Sequence, residues 1–218
     1  MSGIQQMLSG GTYKPAPPTT IGQAYGGGFY AGQIAVGGAG VATHYLIVAP
    51  KASGNVNPAT GKLWGIRGVT TGFTSVINGP TNSAGEAALG TSYEAATFCE
   101  NLSIGNYTDW YLPAKNELEV LYYFLKPTTT ANDTSGGSNA NAVSPEPVST
   151  NYSSGSPAQT SVTDFKLGGT EAFPADVYWA SNEISLDQGQ AQDFTDGYQT
   201  TPSKEAARGV RAVRRIPI

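Results

Sequence analysis

The sequence predicts an α+β fold: short antiparallel strands, two helices and a long loop region. Three observations carry this. Runs of Val, Ile, Tyr and Phe bounded by Gly, Asn and Pro cluster towards both ends of the chain. A helical apolar period occurs only between residues 91 and 126, and the polar stretch from Pro127 to about Val162 has no period at all. At 218 residues the chain can bury a sizeable core, and with one Cys it must do so without an internal disulfide.

Taken in order, residues 1–50 carry a single charge, Lys14, and are dense in glycine. Residues 1–21, with Pro15, Pro17 and Pro18, show no period and read as an extended arm or a loose tail ahead of a body at 22–218. Strands are expected at Gly28–Val36, Thr43–Ala49 and Leu63–Val69. Thr91 and Glu94 have the spacing of a capping box, and Ala95, Phe98, Cys99 and Leu102 make an apolar stripe that Gly105 ends. A second helix opens at Pro113, with Ala114, Leu118, Leu121, Tyr122 and Leu125 on one face. Lys115, Asn116 and Glu119 lie opposite; Lys126 suits the C-terminal dipole and Pro127 stops the run. Strands at Val177–Ser181, Ala191–Phe194 and Gly209–Ile216 close the chain; the adjacent Ala212 and Val213 call for two buried faces or a bulge. Trp64, Trp110 and Trp179 belong in the core.

Composition excludes several functions. Charged residues are only 13% of the chain and the net charge is −4, which argues against a nucleic-acid binder needing a basic face. The longest apolar run, Tyr45 to Pro50, is too short to insert in a membrane, and the opening residues suggest no secretory signal. One His and one Cys cannot supply the usual zinc ligands, so no metal or cofactor is expected.

Four strings then occur in a telling order. Asp109–Leu118 (DWYLPAKNEL), Val177–Glu183 (VYWASNE), Phe194–Gly197 (FTDG) and Gly209–Ile216 (GVRAVRRI) resemble, one after another, motifs of the DUF1566 family within the C-type-lectin-like group. With the Gly-rich start, the pattern is similar to DUF1566-type proteins carried by tailed bacteriophages. The resemblance covers about residues 22–218. It implies a C-type-lectin-like fold and a virion protein of the tail-fibre or receptor-binding kind, assembled in the bacterial cytoplasm. Its implied partners are other virion proteins through the N-terminal arm, a bacterial surface glycan or protein, and further copies of itself, with a trimer as the leading arrangement. A capsid-decorating protein with no host ligand is the alternative.

Chemistry is weighed against that implication. Related formylglycine-generating domains use cysteine, but Cys99 falls in the apolar stripe, where Cys serves packing. His44 has no second His and no nearby acid to orient it. Glu183, Asp187, Asp193 and Asp196 are acids of the glycosidase type, yet no spacing pairs them. Calcium-dependent lectins need Glu-Pro-Asn; here Glu146-Pro147-Val148 lacks the oxygen ligand. A non-enzymatic binding module is therefore expected. Its receptor surface, placed by analogy with lectin-like adhesins, is Asn182, Asp187, Gln188, Gln190, Gln192, Tyr198, Gln199 and Thr200, whose amides and aromatic ring suit a polar partner. Arg208, Arg211, Arg214 and Arg215 are expected to pair with acids of the body.

Overall fold

In the computed structural model, which describes residues 16–38 and 40–218, the chain's early and late strands share one sheet. The elements run β1 (Ala24–Tyr25), β2 (Gly28–Ile34), β3 (His44–Val48), α1 (Lys51–Gly54), β4 (Asn55–Val56), α2 (Gly79–Ala88), α3 (Glu94–Glu100), α4 (Lys115–Leu125), β5 (Val177–Glu183), β6 (Gly189–Asp193), β7 (Gln199–Thr200), β8 (Val210–Arg211) and β9 (Val213–Pro217). The architecture is α+β. One antiparallel sheet has the order β1-β2-β3-β9, a second β5-β6-β7, and β4 pairs with β8.

The run Tyr45–Val48 lacks polar alternation because both of its faces are covered. Leu46 and Val48 enter one apolar cluster with Ile34, Leu118, Leu121 and Val213. Tyr45 and Ile47 enter another with Trp64, Trp110, Leu112 and Trp179. Burying each such side chain contributes about 1.5–3 kcal/mol, so a strand packed on both sides needs no amphipathic pattern. All three tryptophans are core, as expected. The closing segment resolves its adjacent apolar pair by breaking at Ala212, which separates β8 from β9. There Ala49 N–H donates to Ala212 O at 2.9 Å, and Ala212 N–H to Gly54 O at 3.0 Å.

Several expected elements differ. Leu63–Val69 is not a strand: the amides of Trp64 and Gly65 bond Lys204 O, and Leu63 N–H bonds the Glu94 carboxylate, so the segment pairs with loops and side chains. That use of Glu94 also replaces the capping box with Thr91. The helix starts at Glu94 with no side-chain cap and ends at Glu100. The helix α2 carries no apolar stripe to announce it. Its small residues serve close approach: a Cβ on Gly85 would stand 2.1 Å from the Phe73 ring, and one on Gly79 2.2 Å from a Glu117 oxygen.

The helix α4 begins at Lys115, two residues beyond Pro113, and Glu117 closes its first turn by accepting the Ala114 N–H at 2.9 Å. Its polar face is not solvated. Asn116 and Glu119 are buried under the segment 127–162, which is irregular but folded against the body. Asn139 donates to Asn116 O and to Glu119, Asn116 donates to Asn141 Oδ1, and the Tyr152 hydroxyl donates to Glu119 at 2.7 Å. Lys126 folds back into the same segment, donating to Thr130 O and Asn132 Oδ1 at 2.6 Å each. Of the expected arm, residues 1–15 lie outside the described residues. Pro18 is buried, Ile21 packs on both clusters, and Gly22 N–H donates to Tyr30 O.

Buried acids give this core a pH dependence. Glu146 meets Glu119 in the interior, and burial followed by the Glu119 charge pushes its carboxyl well above the usual range. Burial likewise lifts Glu117 to about 7, against the pull of Arg215 and Tyr111. The native protein keeps a proton on Glu117 from pH 4.5 to about 7 that the unfolded chain has released, so the stability owed to it falls as pH rises through that window. Glu146→Gln removes one buried titration beside Glu119. Its stability relative to the parent, measured by urea unfolding at a series of pH values from 5 upward, should improve as pH rises; a difference that stays flat would show that the Glu146 carboxyl is not raised in the folded protein.

Candidate functional site

A candidate site forms where two exposed loops meet above a buried ion pair. Residues 66–70 and 184–188 are all exposed and bonded to each other, Gly68 N–H donating to Leu186 O at 3.0 Å. They present Ile66, Val69, Ile184 and Leu186, each more than two-fifths exposed. Arg67 and Asp187 pair across the loops at 3.3 Å, both half in solvent, where such a contact adds little to stability.

Beneath the loops, Lys204 and Glu183 form an ion pair with side chains 0% and 3% exposed. Lys204 Nζ also donates to Val69 O at 2.7 Å and lies 5.0 Å from the centre of the Trp64 ring. Glu183 accepts from the Thr70 hydroxyl and from the backbone N–H groups of Thr71 and Gly72 at 2.9–3.0 Å. Burial alone would raise the Glu183 carboxyl, but the bonds from Lys204, Thr71, Gly72 and Thr70 hold it below the ordinary range. The first loop is thus tied to the charged centre through Val69 to Gly72, and the second is joined to the backbone of the same lysine, whose amide N–H donates to Asp187 O.

The expected receptor residues divide between interior and surface. Asn182, Gln190 and Gln192 are corrected to the interior. Asn182 Oδ1 accepts Lys115 N–H at the start of α4; Gln190 donates to Ala191 O and Thr200 O; Gln192 donates to Tyr152 and Gly197 O. Strands β5 and β6 are covered on both faces, so amides there complete the core instead of greeting a ligand. Asp187 and Gln188 are exposed on the second loop, with Gln188 also donating to Thr201 O. Tyr198 is exposed at the β6–β7 turn, a strand's length from Gln188, while Gln199 and Thr200 are half-buried in β7. These eight residues do not share one rim. Ile66, Arg67, Val69, Ile184 and Leu186 escaped sequence reasoning, although Gly68, at φ 75°, interrupts its apolar run in the manner of a turn.

The chemical candidates have structural surroundings. Burial pushes the thiol of Cys99 well up, as does the nearby Glu100 charge. Asp193 and Asp196 accept backbone N–H groups within their own turn. Among the described residues no group of three or more His, Cys, Asp or Glu could hold a metal ion. Of the four arginines, Arg211 pairs with Glu171, Arg214 with Asp109 and Arg215 with Glu117, whereas Arg208 forms no ion pair among the described residues.

Lys204→Met should cost about 3–5 kcal/mol, because it strands the Glu183 charge in the interior. Chemical denaturation would measure the loss. Hydrogen exchange at Thr71 and Gly72 should accelerate in the same variant; unchanged protection there would show that the ion pair does not hold the loops. Compared with known proteins, the chain matches no family model, and no curated protein matches it.

Proposed function

We propose that this protein is a non-enzymatic component of a tailed bacteriophage particle, of the tail-fibre or receptor-binding kind, with a C-type-lectin-like body. Its receptor surface is the loop pair 66–70 and 184–188. The observation that carries a binding role is this pair itself: four exposed aliphatic side chains on loops that meet above a buried ion pair. Exposed apolar groups on a rigid frame lose little conformational freedom on contact, which favours recognition.

The phage and lectin-like part of the reading is supported by the four strings and by how three of them meet in space. Tyr111 and Val213 exchange backbone bonds at 2.9 and 3.0 Å; Ser181 N–H donates to Pro113 O at 2.8 Å; Trp179 N–H donates to Gly209 O at 3.0 Å. Residues 109–118, β5 and the closing strands therefore make one framework. In the fourth string, Gly197 turns the chain at φ 83° where a Cβ would stand 2.5 Å from the Tyr122 ring.

The test uses the full chain, fluorescently labelled, on a panel of bacterial cells read by flow cytometry. Binding to a susceptible strain, and competition with infection of that strain, are expected. Leu186→Asp and Ile66→Asp should each lower cell binding at least tenfold and change stability by no more than about 0.5 kcal/mol, as surface substitutions do. Binding to the particle alone, with no cell bound, would replace the receptor role with capsid decoration.

A further inference from the structure

The closing arginines are not spent equally. Arg211 is wholly buried, donating to Ala49 O and Glu171. Arg214 grips Asp109 through two bonds of 2.8 Å and donates to Gly26 O, its guanidinium carbon 3.8 Å from the centre of the Tyr107 ring. Arg215 is held loosely by comparison: Nε lies 3.4 Å from Glu117, and its terminal nitrogens reach Ile77 O at 3.2 Å and Asn78 Oδ1 at 3.3 Å. Five donors are thus matched by three long contacts.

Arg215 lines a hollow of about 230 Å³ with His44, Pro80, Asp109, Tyr111 and Pro217. His44 Nδ1 is occupied by the Thr43 hydroxyl at 2.9 Å, and among the described residues Nε2 has no partner. Burial, then the Arg215 charge, keeps the imidazole below its ordinary range. The strand register sets His44 opposite Pro217, two residues along from Arg215, so ring and guanidinium line the same hollow. The remaining charges do not neutralise it. Asp109 at the rim is matched by Arg214, and Glu117 behind Tyr111, with its carboxyl at about 7, offsets only part of the Arg215 charge at neutral pH. Counting Arg214 and Arg215 against Asp109 and a half-protonated Glu117, the formal charges around the hollow lean positive in a protein of net charge −4.

We propose that the hollow binds a single oxyanion group, carboxylate or phosphate, between His44 Nε2 and the Arg215 guanidinium, with Pro80 and Pro217 as its walls. A guanidinium fork matches the oxygen edge of such a group. Thr43 gives its hydroxyl proton to Ile34 O, so His44 Nδ1 donates to Thr43, and Nε2 becomes a donor to the anion when the ring is protonated. The volume suits one functional group of a larger molecule or a small ion, being below that of pockets which enclose a whole ligand. The proposal is independent of the loop pair at 66–70 and 184–188.

Because the chain has one histidine, its imidazole gives an isolated NMR signal. The full chain is titrated with pH in inorganic phosphate, in acetate and in sodium chloride of matched ionic strength. A bound anion favours the imidazolium, so the His44 midpoint should rise by about one unit or more in phosphate or acetate and not in chloride. Acetate acting at lower concentration assigns the site to carboxylates, and phosphate doing so assigns it to phosphates. Arg215→Lys keeps the charge without the fork and should weaken the response at least tenfold. Pro217→Glu, at an exposed position opposite His44 in the strand register, supplies a carboxylate of its own. It should raise the midpoint without added anion and remove the response. A midpoint that moves no further in phosphate or acetate than in chloride overturns the proposal, as does an undiminished response in both variants.

Discussion

Two full charges meet out of water at Lys204 and Glu183, and the surface above them depends on that meeting. Moving an ammonium and a carboxylate into the interior costs several kcal/mol each, and their attraction offsets this only when the remaining donors and acceptors are filled. Here they are filled from the loops: Thr70, Thr71 and Gly72 donate to the acid, and Val69 accepts from the ammonium. The arrangement therefore works in two directions. The loops make the buried charges tolerable, and the charges give an irregular segment, 63–72, an ordered course without a neighbouring strand.

A second polar network does comparable work for the segment 127–162. Its asparagines and Tyr152 lie on the polar face of α4, where Asn139, Asn141 and Tyr152 satisfy Asn116 and Glu119. Unlike an apolar core, such bonds demand particular partners in particular places. A stretch dominated by Ser, Thr, Asn, Gly and Pro, with few large hydrophobic residues, can thereby hold one conformation.

These networks also mark where sequence reasoning stops. Elements announced by an apolar run or a helical period were readable: β3, α4 and β5 appear within two residues of their expected bounds, and Leu46, Leu121 and Tyr178 are buried in the core. The pairing of Arg211, Arg214 and Arg215 with acids could be anticipated from charge alone. Helix α2 could not, since Gly79 and Gly85 are there for close contact with residues remote in sequence. Gln190 and Gln192 looked like surface amides because amides usually are; only the covering of β6 on both sides reveals otherwise. The apolar residues of 63–69 misled for the opposite reason, Ile66 and Val69 being outside and Trp64 inside.

The pairing of β3 with β9 bears on how the chain comes to be folded. His44 lies opposite Pro217 and Val48 opposite Val213, so the central sheet is completed by residues made some 165 positions later. Contacts this remote form slowly, since the intervening chain must be closed into a loop first. Until β9 has left the ribosome, β3 has a bare edge and Leu46 and Val48 lack the cover of Val213. During synthesis the edge of β3 therefore waits for β9, and the central sheet closes only once that strand is available to pair.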